Sequence, residues 1–127
     1  MERLSREQIL AALAVLAEEL ERRSRNVDLV LVGGAALVLL YGARESTKDV
    51  DAVVARPDES EPVREAGQAA AERLGLPADW LNDAAKGYLH GLALGATVFS
   101  APGLVVRAAA PEQLLAMKLC AWRDDVD

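Results

Sequence analysis

The stretch LVLVGGAALVLLYGARESTKDVDAVVA, Leu29 to Ala55, decides how the rest of the chain is read. Leu29 to Val32 is an apolar, branched run of the length of a buried strand, and Gly33-Gly34 ends it. A helix is expected to begin there. Ala35 to Tyr41 is apolar throughout, Gly42 is a natural C-terminal stop, and a loop from Ala43 to Lys48 leads into a second strand, Asp49 to Val54. On that strand Asp49 and Asp51 are two positions apart, so both carboxylates fall on one face while Val50, Ala52 and Val54 take the other. Neighbouring carboxylates repel, and a divalent cation held by hard oxygen ligands, magnesium first among them, relieves the repulsion. Backbone N–H groups at a glycine-lined helix start attract phosphate. Together these parts describe a site that grips a triphosphate at one end and its magnesium at the other, which is what nucleotidyl transfer requires.

The same residues carry a resemblance. Gly33-Gly34, Tyr41-Gly42-Ala43-Arg44, Thr47 and Asp49-Val50-Asp51 resemble the signature of the DNA polymerase β-type nucleotidyltransferase superfamily. Within it they are most similar to the branch containing the type IV toxin AbiEii, where an Arg-x-x-Thr-x-Asp-x-Asp string is typical. Leu114 to Arg123 resembles a later helix of that branch, which is usually followed by an Asp-containing stretch. The resemblance spans Val27 to Ala55 and Ala110 to Asp127, in the right order, with a looser middle. It implies an α+β (α/β) nucleotidyltransferase fold, a small mixed sheet flanked by helices. Asp49 and Asp51 would hold Mg2+ and act in catalysis, and Gly33, Gly34, Arg44, Thr47 and Lys118 would bind a nucleoside triphosphate. The acceptor would be RNA (tRNA) or protein, and an antitoxin protein would be the partner.

A chain of 127 residues with 52% hydrophobic content fits one compact domain, 1–127, with a real core and no room for a second. The net charge of −6 is spread out, with no basic tail or stripe, which argues against avid nonspecific binding to nucleic acid and leaves a weakly held RNA acceptor open. One cysteine excludes an internal disulfide, and a single histidine leaves the usual zinc ligand sets incomplete. Charged residues begin at Glu2, so no signal peptide is expected, and no apolar run approaches a membrane span; the expected compartment is the cytoplasm.

Ser5 with Gln8 reads as a capping box opening an amphipathic helix to about Arg23, with Ile9, Leu10, Leu13, Leu16, Ala17 and Leu20 inward. Its cluster of Glu18, Glu19, Glu21, Arg22 and Arg23 reads as a solvated face. After the Asp strand, RPDESEP (56–62) is a loop, followed by a helix from about Pro62 to Leu74 with Val63, Ala66, Ala70 and Leu74 inward and Gly75 ending it. Leu76 to Asp83 is expected as a loop or a short helical turn, and Trp80 as a core or lid residue. Leu92 to Ser100 and Leu104 to Arg107 read as a hairpin turned by Ala101-Pro102-Gly103.

The superfamily usually takes a third carboxylate from a strand in that region, and Ala96 to Ser100 offers none. Asp83 or a C-terminal aspartate serves instead, or metal binding is weak, or the chain has lost activity. In the terminal segment Asp125 is the first choice and Asp127 the second. The last helix should run from Pro111 to about Arg123, with Lys118 on its apolar stripe. Lys118 either snorkels to solvent or, as the resemblance implies, reaches nucleotide phosphate. Arg44 either pairs with phosphates, braces the Asp strand, or forms an ordinary salt bridge to Glu45 or an aspartate. Cys120 reads as an inert buried thiol. Relatives continue beyond the final Asp-containing stretch, so the chain is expected to be a minimal or C-terminally trimmed version. Three readings follow: an active nucleotidyltransferase, a catalytically degenerate nucleotide-binding or regulatory module on the same fold, or a coincidence of motifs in an unrelated α/β domain.

Overall fold

The computed structural model describes residues 3–41, 46–82 and 94–110. Helix α1 (Arg6–Arg22) starts at the expected capping box, with the Gln8 N–H donating to the Ser5 hydroxyl and the Ser5 N–H to the Gln8 side chain. Just before it, β1 (Leu4–Ser5) forms a two-residue antiparallel ladder with β3 (Ser46–Thr47), which the sequence did not announce. The main sheet is built from β2 (Val27–Val32), β4 (Val50–Val54), β5 (Leu81–Asn82), β6 (Leu94–Ala101) and β7 (Leu104–Ala109), in the order β5-β4-β2-β7-β6. β2 runs antiparallel to β4 and parallel to β7, and β4 runs parallel to β5, so the sheet is mixed. The architecture is α+β, a small mixed sheet flanked by helices, as expected.

The register assigns the faces. Leu29 stands opposite Val54 and Leu31 opposite Ala52, and Leu29 and Leu31 also stand beside Val106 and Ala108 of β7. All six are buried, on the face covered by α1 and by α3 (Ser60–Leu74), which pack on each other. The other face carries Val30, Val32, Val53 and Asp51. The hairpin turn of β6 and β7 is Pro102-Gly103, with Gly103 at φ +94 and so close to α1 that an added β-carbon would stand 2.8 Å from the Ala17 carbonyl oxygen. Only glycine fits both the backbone and the space.

Several expectations need correction. The helix expected to begin at Gly33-Gly34 does begin there, but α2 (Gly33–Ala36) is a single turn that continues as a π-helical turn, Leu37–Tyr41. Asp49 lies just outside β4, which starts at Val50. Helix α3 starts two residues before Pro62, and Leu74 is exposed because Gly75 ends the helix at the surface. Glu19 is not on a solvated face. It is 3% exposed, wedged between α1 and α3 and held by Arg23 at 2.7 Å and Arg73 at 3.0 Å. Residues 81–82 form a strand where a loop or helical turn was expected, because the Trp80 carbonyl accepts from the Val50 N–H at 2.7 Å and the Trp80 indole N–H reaches the Gly67 carbonyl at 2.9 Å. Trp80 is therefore a core residue, 1% exposed. Gly42, the segment from Pro111 where a last helix is expected, and Cys120 lie outside the described residues.

Candidate active site

Gly33, Asp49 and Asp51 come together where β2 ends and β4 begins. Val32, the last residue of β2, stands opposite Asp51, so the chain turns into α2 directly beside that carboxylate. Gly33 has φ +66, and a β-carbon built on it would lie 3.0 Å from Asp51 Oδ2. The glycine thus leaves room that any other residue would fill, and the room faces the acid. Gly34 follows on the first turn of α2, and no side chain caps that turn. The opening N–H groups of a helix have no partner within it, which makes them donors for an anion.

Asp51 is half-buried, and burial pushes its carboxyl above the ordinary aspartate value. The negative charge of Asp49 pushes it further in the same direction, and a hydrogen bond with the Asn82 side chain works against both. The two acids therefore sense each other. Asn82, opposite Asp51 on β5, is a site residue that the sequence pattern did not reveal: a two-residue strand has no readable period, and only the Asp51–Asn82 pairing brings the amide to the acid. Thr47 is buried, and its hydroxyl donates to the Asp49 carbonyl at 3.1 Å, fixing the backbone that enters the acid strand.

The donor set suits a hard cation: two neighbouring carboxylates, Asp51 on β4 and Asp49 just before it, with Asp51 held in a setting that disfavours its bare charge. Among the described residues no group of three or more His, Cys, Asp or Glu side chains gathers to hold a metal ion. Arg44, Asp83, Lys118, Asp125 and Asp127 lie outside the described residues. A small cleft between α3 and the sheet, lined by Val54, Val63, Gly67 and Leu81 together with Ser60 and Arg64, lies on the face opposite Asp51 and takes no part in the site.

A mixed sheet with an acid pair beside a glycine-lined helix start defines a small α+β domain with the frame of a nucleotidyltransferase. Residues 8–94 match the model of the family described as nucleotidyltransferase of unknown function (DUF6036), and the chain belongs to that family. The match spans Gly33, Gly34, Arg44, Thr47, Asp49 and Asp51, and it ends before Lys118 and Asp125. No curated protein and no solved structure matches the chain. Among the described residues no helix is long and apolar enough to cross a membrane.

Proposed function

We propose that the chain is a magnesium-dependent nucleotidyltransferase that moves a nucleoside monophosphate from a nucleoside triphosphate to a hydroxyl on RNA (tRNA) or protein. The observation that carries this reading is the approach of Asp51 Oδ2 to the vacant side of Gly33, which joins the acid pair and the Gly-Gly turn in one place. Membership of a nucleotidyltransferase family supports it independently.

In this reading Asp49 and Asp51 hold Mg2+, and the ion, when bound, neutralises triphosphate charge and the charge developing on pyrophosphate. The Gly33 and Gly34 amides bind phosphate oxygens, with Arg44 and Lys118 as cationic partners and Thr47 acting through the Asp49 backbone. The acceptor hydroxyl attacks the α-phosphorus in line. A new P–O bond forms as the α–β bridging P–O bond breaks, pyrophosphate leaves, and an aspartate takes the hydroxyl proton. Asp125 is the proposed third acid. The resemblance to the AbiEii branch supports a cytoplasmic toxin restrained by an antitoxin protein.

The test is transfer of label from α-labelled ATP, GTP, CTP and UTP to total RNA and to cellular protein. The wild-type chain should label one of these, and Asp49→Ala and Asp51→Ala should abolish the labelling. Transfer that persists in the double variant would remove the mechanism. A second reading, a nucleotide-binding module without turnover, is favoured by the absence of any acid from Ala96 to Ser100. It predicts magnesium-dependent nucleotide binding with no transfer.

A further inference from the structure

We propose that the segment Arg3 to Arg6 is a clamp that sets the spacing between the two halves of the candidate site, an inference that rests on the nucleotidyltransferase reading above. The segment touches both halves. On the acid side, Leu4 pairs with Thr47 and Ser5 with Ser46. Arg3 adds two bonds to the same strand, Nε to the Ser46 hydroxyl at 2.8 Å and a terminal guanidinium nitrogen to the Ser46 carbonyl at 2.9 Å. Thr47 carries this anchoring onward through its bond to the Asp49 carbonyl. On the glycine side, the Arg6 guanidinium donates to the carbonyl of Leu39, in the π-helical turn that continues the helix begun at Gly33.

The anchor point of the clamp is firm. Leu4 is buried in the core and Ser5 caps α1, so the segment cannot follow either half of the site independently. Arg3 and Arg6 are themselves exposed. Exposed guanidinium contacts contribute little to global stability and cost side-chain entropy, so what these bonds fix is backbone position. Position matters here because a phosphate held at the Gly33 turn must meet a cation held at Asp49 and Asp51, and displacement of about 1 Å in such a site costs up to about 100-fold. The family match begins at residue 8, so the clamp lies outside the matched part of the chain.

The clamp makes Arg3 and Arg6 positioning residues, tested by binding of mant-labelled ATP, GTP, CTP and UTP with magnesium. Alongside it, amide hydrogen exchange is followed over residues 46–50, and thermal melting is recorded. Arg3→Met/Arg6→Met should bind roughly tenfold more weakly than the wild type, in the range of outer-shell substitutions. Exchange at residues 46–50 should accelerate, while the melting midpoint falls by only about 3 °C. Arg6→Lys, which keeps one donor for the Leu39 carbonyl, should restore most of the affinity lost in Arg6→Met. Wild-type binding with a double variant within twofold of it overturns the clamp and leaves the nucleotidyltransferase reading standing. A loss of affinity that only tracks unfolding, with exchange at 46–50 unchanged in the folded fraction, overturns it as well. Absence of any binding by the wild type refutes the nucleotidyltransferase reading and, with it, the role given to the clamp.

Discussion

Gly33 joins two constraints in one residue. Its φ of +66 lies in the left-handed region, and the side where a β-carbon would stand is 3.0 Å from Asp51 Oδ2. Alanine there costs about 1–2 kcal/mol for the backbone alone. It also cannot be accommodated without moving the carboxylate. Gly33→Ala should therefore lower the melting midpoint by about 3–8 °C. It should also weaken magnesium-nucleotide binding more than the stability loss accounts for, measured by titration well below the melting transition. Binding that survives at wild-type strength would mean that the room beside Asp51 is not used. Asn82 shows the same economy from the other side, because its amide bonds to Asp51 and favours the charged carboxylate against burial and the charge of Asp49.

The two long helices are tied together by a buried acid. Glu19 of α1 is 3% exposed and accepts from Arg23, which caps the end of the same helix, and from Arg73 on α3, while Arg73 also holds Glu18 at 2.9 Å. The hydrogen bond from Arg23 holds the Glu19 carboxyl below the ordinary glutamate value against the opposing effect of burial, with Arg73 and Arg22 assisting. Removing one partner from such a group leaves the others short of a charge, so Glu19→Gln should destabilise the fold by about 1–3 kcal/mol, measured by urea unfolding. A change within about 0.5 kcal/mol, the range of ordinary surface substitutions, would show that the arginines serve only as a solvated fringe. None of this is legible in the sequence, where Glu19 sits in a run of charges that patterns like a wet helix face. What is legible are the elements with a long enough signal: the capping box of α1, the apolar β2 and the strand β4 that carries Asp51. To these add the β6–β7 hairpin turned at Pro102-Gly103 and the Gly75 stop. The two-residue ladders β1–β3 and β4–β5 are not, since two residues carry no period and their pairing is decided by the tertiary fold. The nearness of Asp51 to Gly33 could be read in advance because β2 and β4 each carry a strand signal and pair in one ladder. Asn82 and the Arg3–Arg6 segment could not, because they arrive from distant parts of the chain.

Over the whole molecule, two carboxylates pull stability in opposite directions with pH. Asp51 has a folded-state pKa raised above its unfolded value, so the folded state binds its proton more readily. In the window between those two values stability falls as pH rises, and above it the penalty is fully present. Glu19 has a lowered folded-state pKa, so its contribution is complete above the unfolded glutamate value and is lost as pH falls through the folded one. The metal-free wild type should therefore gain stability as pH drops from neutrality into the window of Asp51, then lose it at lower pH as Glu19 is protonated. The net charge of −6 adds a general relief of self-repulsion on the same acid side, which is why a variant is needed to isolate Asp51. Asp51→Asn should be more stable than the wild type at neutral pH without metal, by about 1 kcal/mol or less because the group is only half-buried. It should also flatten the rise on the acid side. Magnesium should stabilise the wild type at neutral pH, since a ligand bound only by the folded chain shifts the unfolding equilibrium, and should leave Asp51→Asn unmoved. Thermal melts across pH, with and without magnesium, read all of these together. If Asp51→Asn melts below the wild type in metal-free buffer, or gains as much from magnesium, the acid pair is not the cation site and the chemistry must be sought elsewhere on the fold.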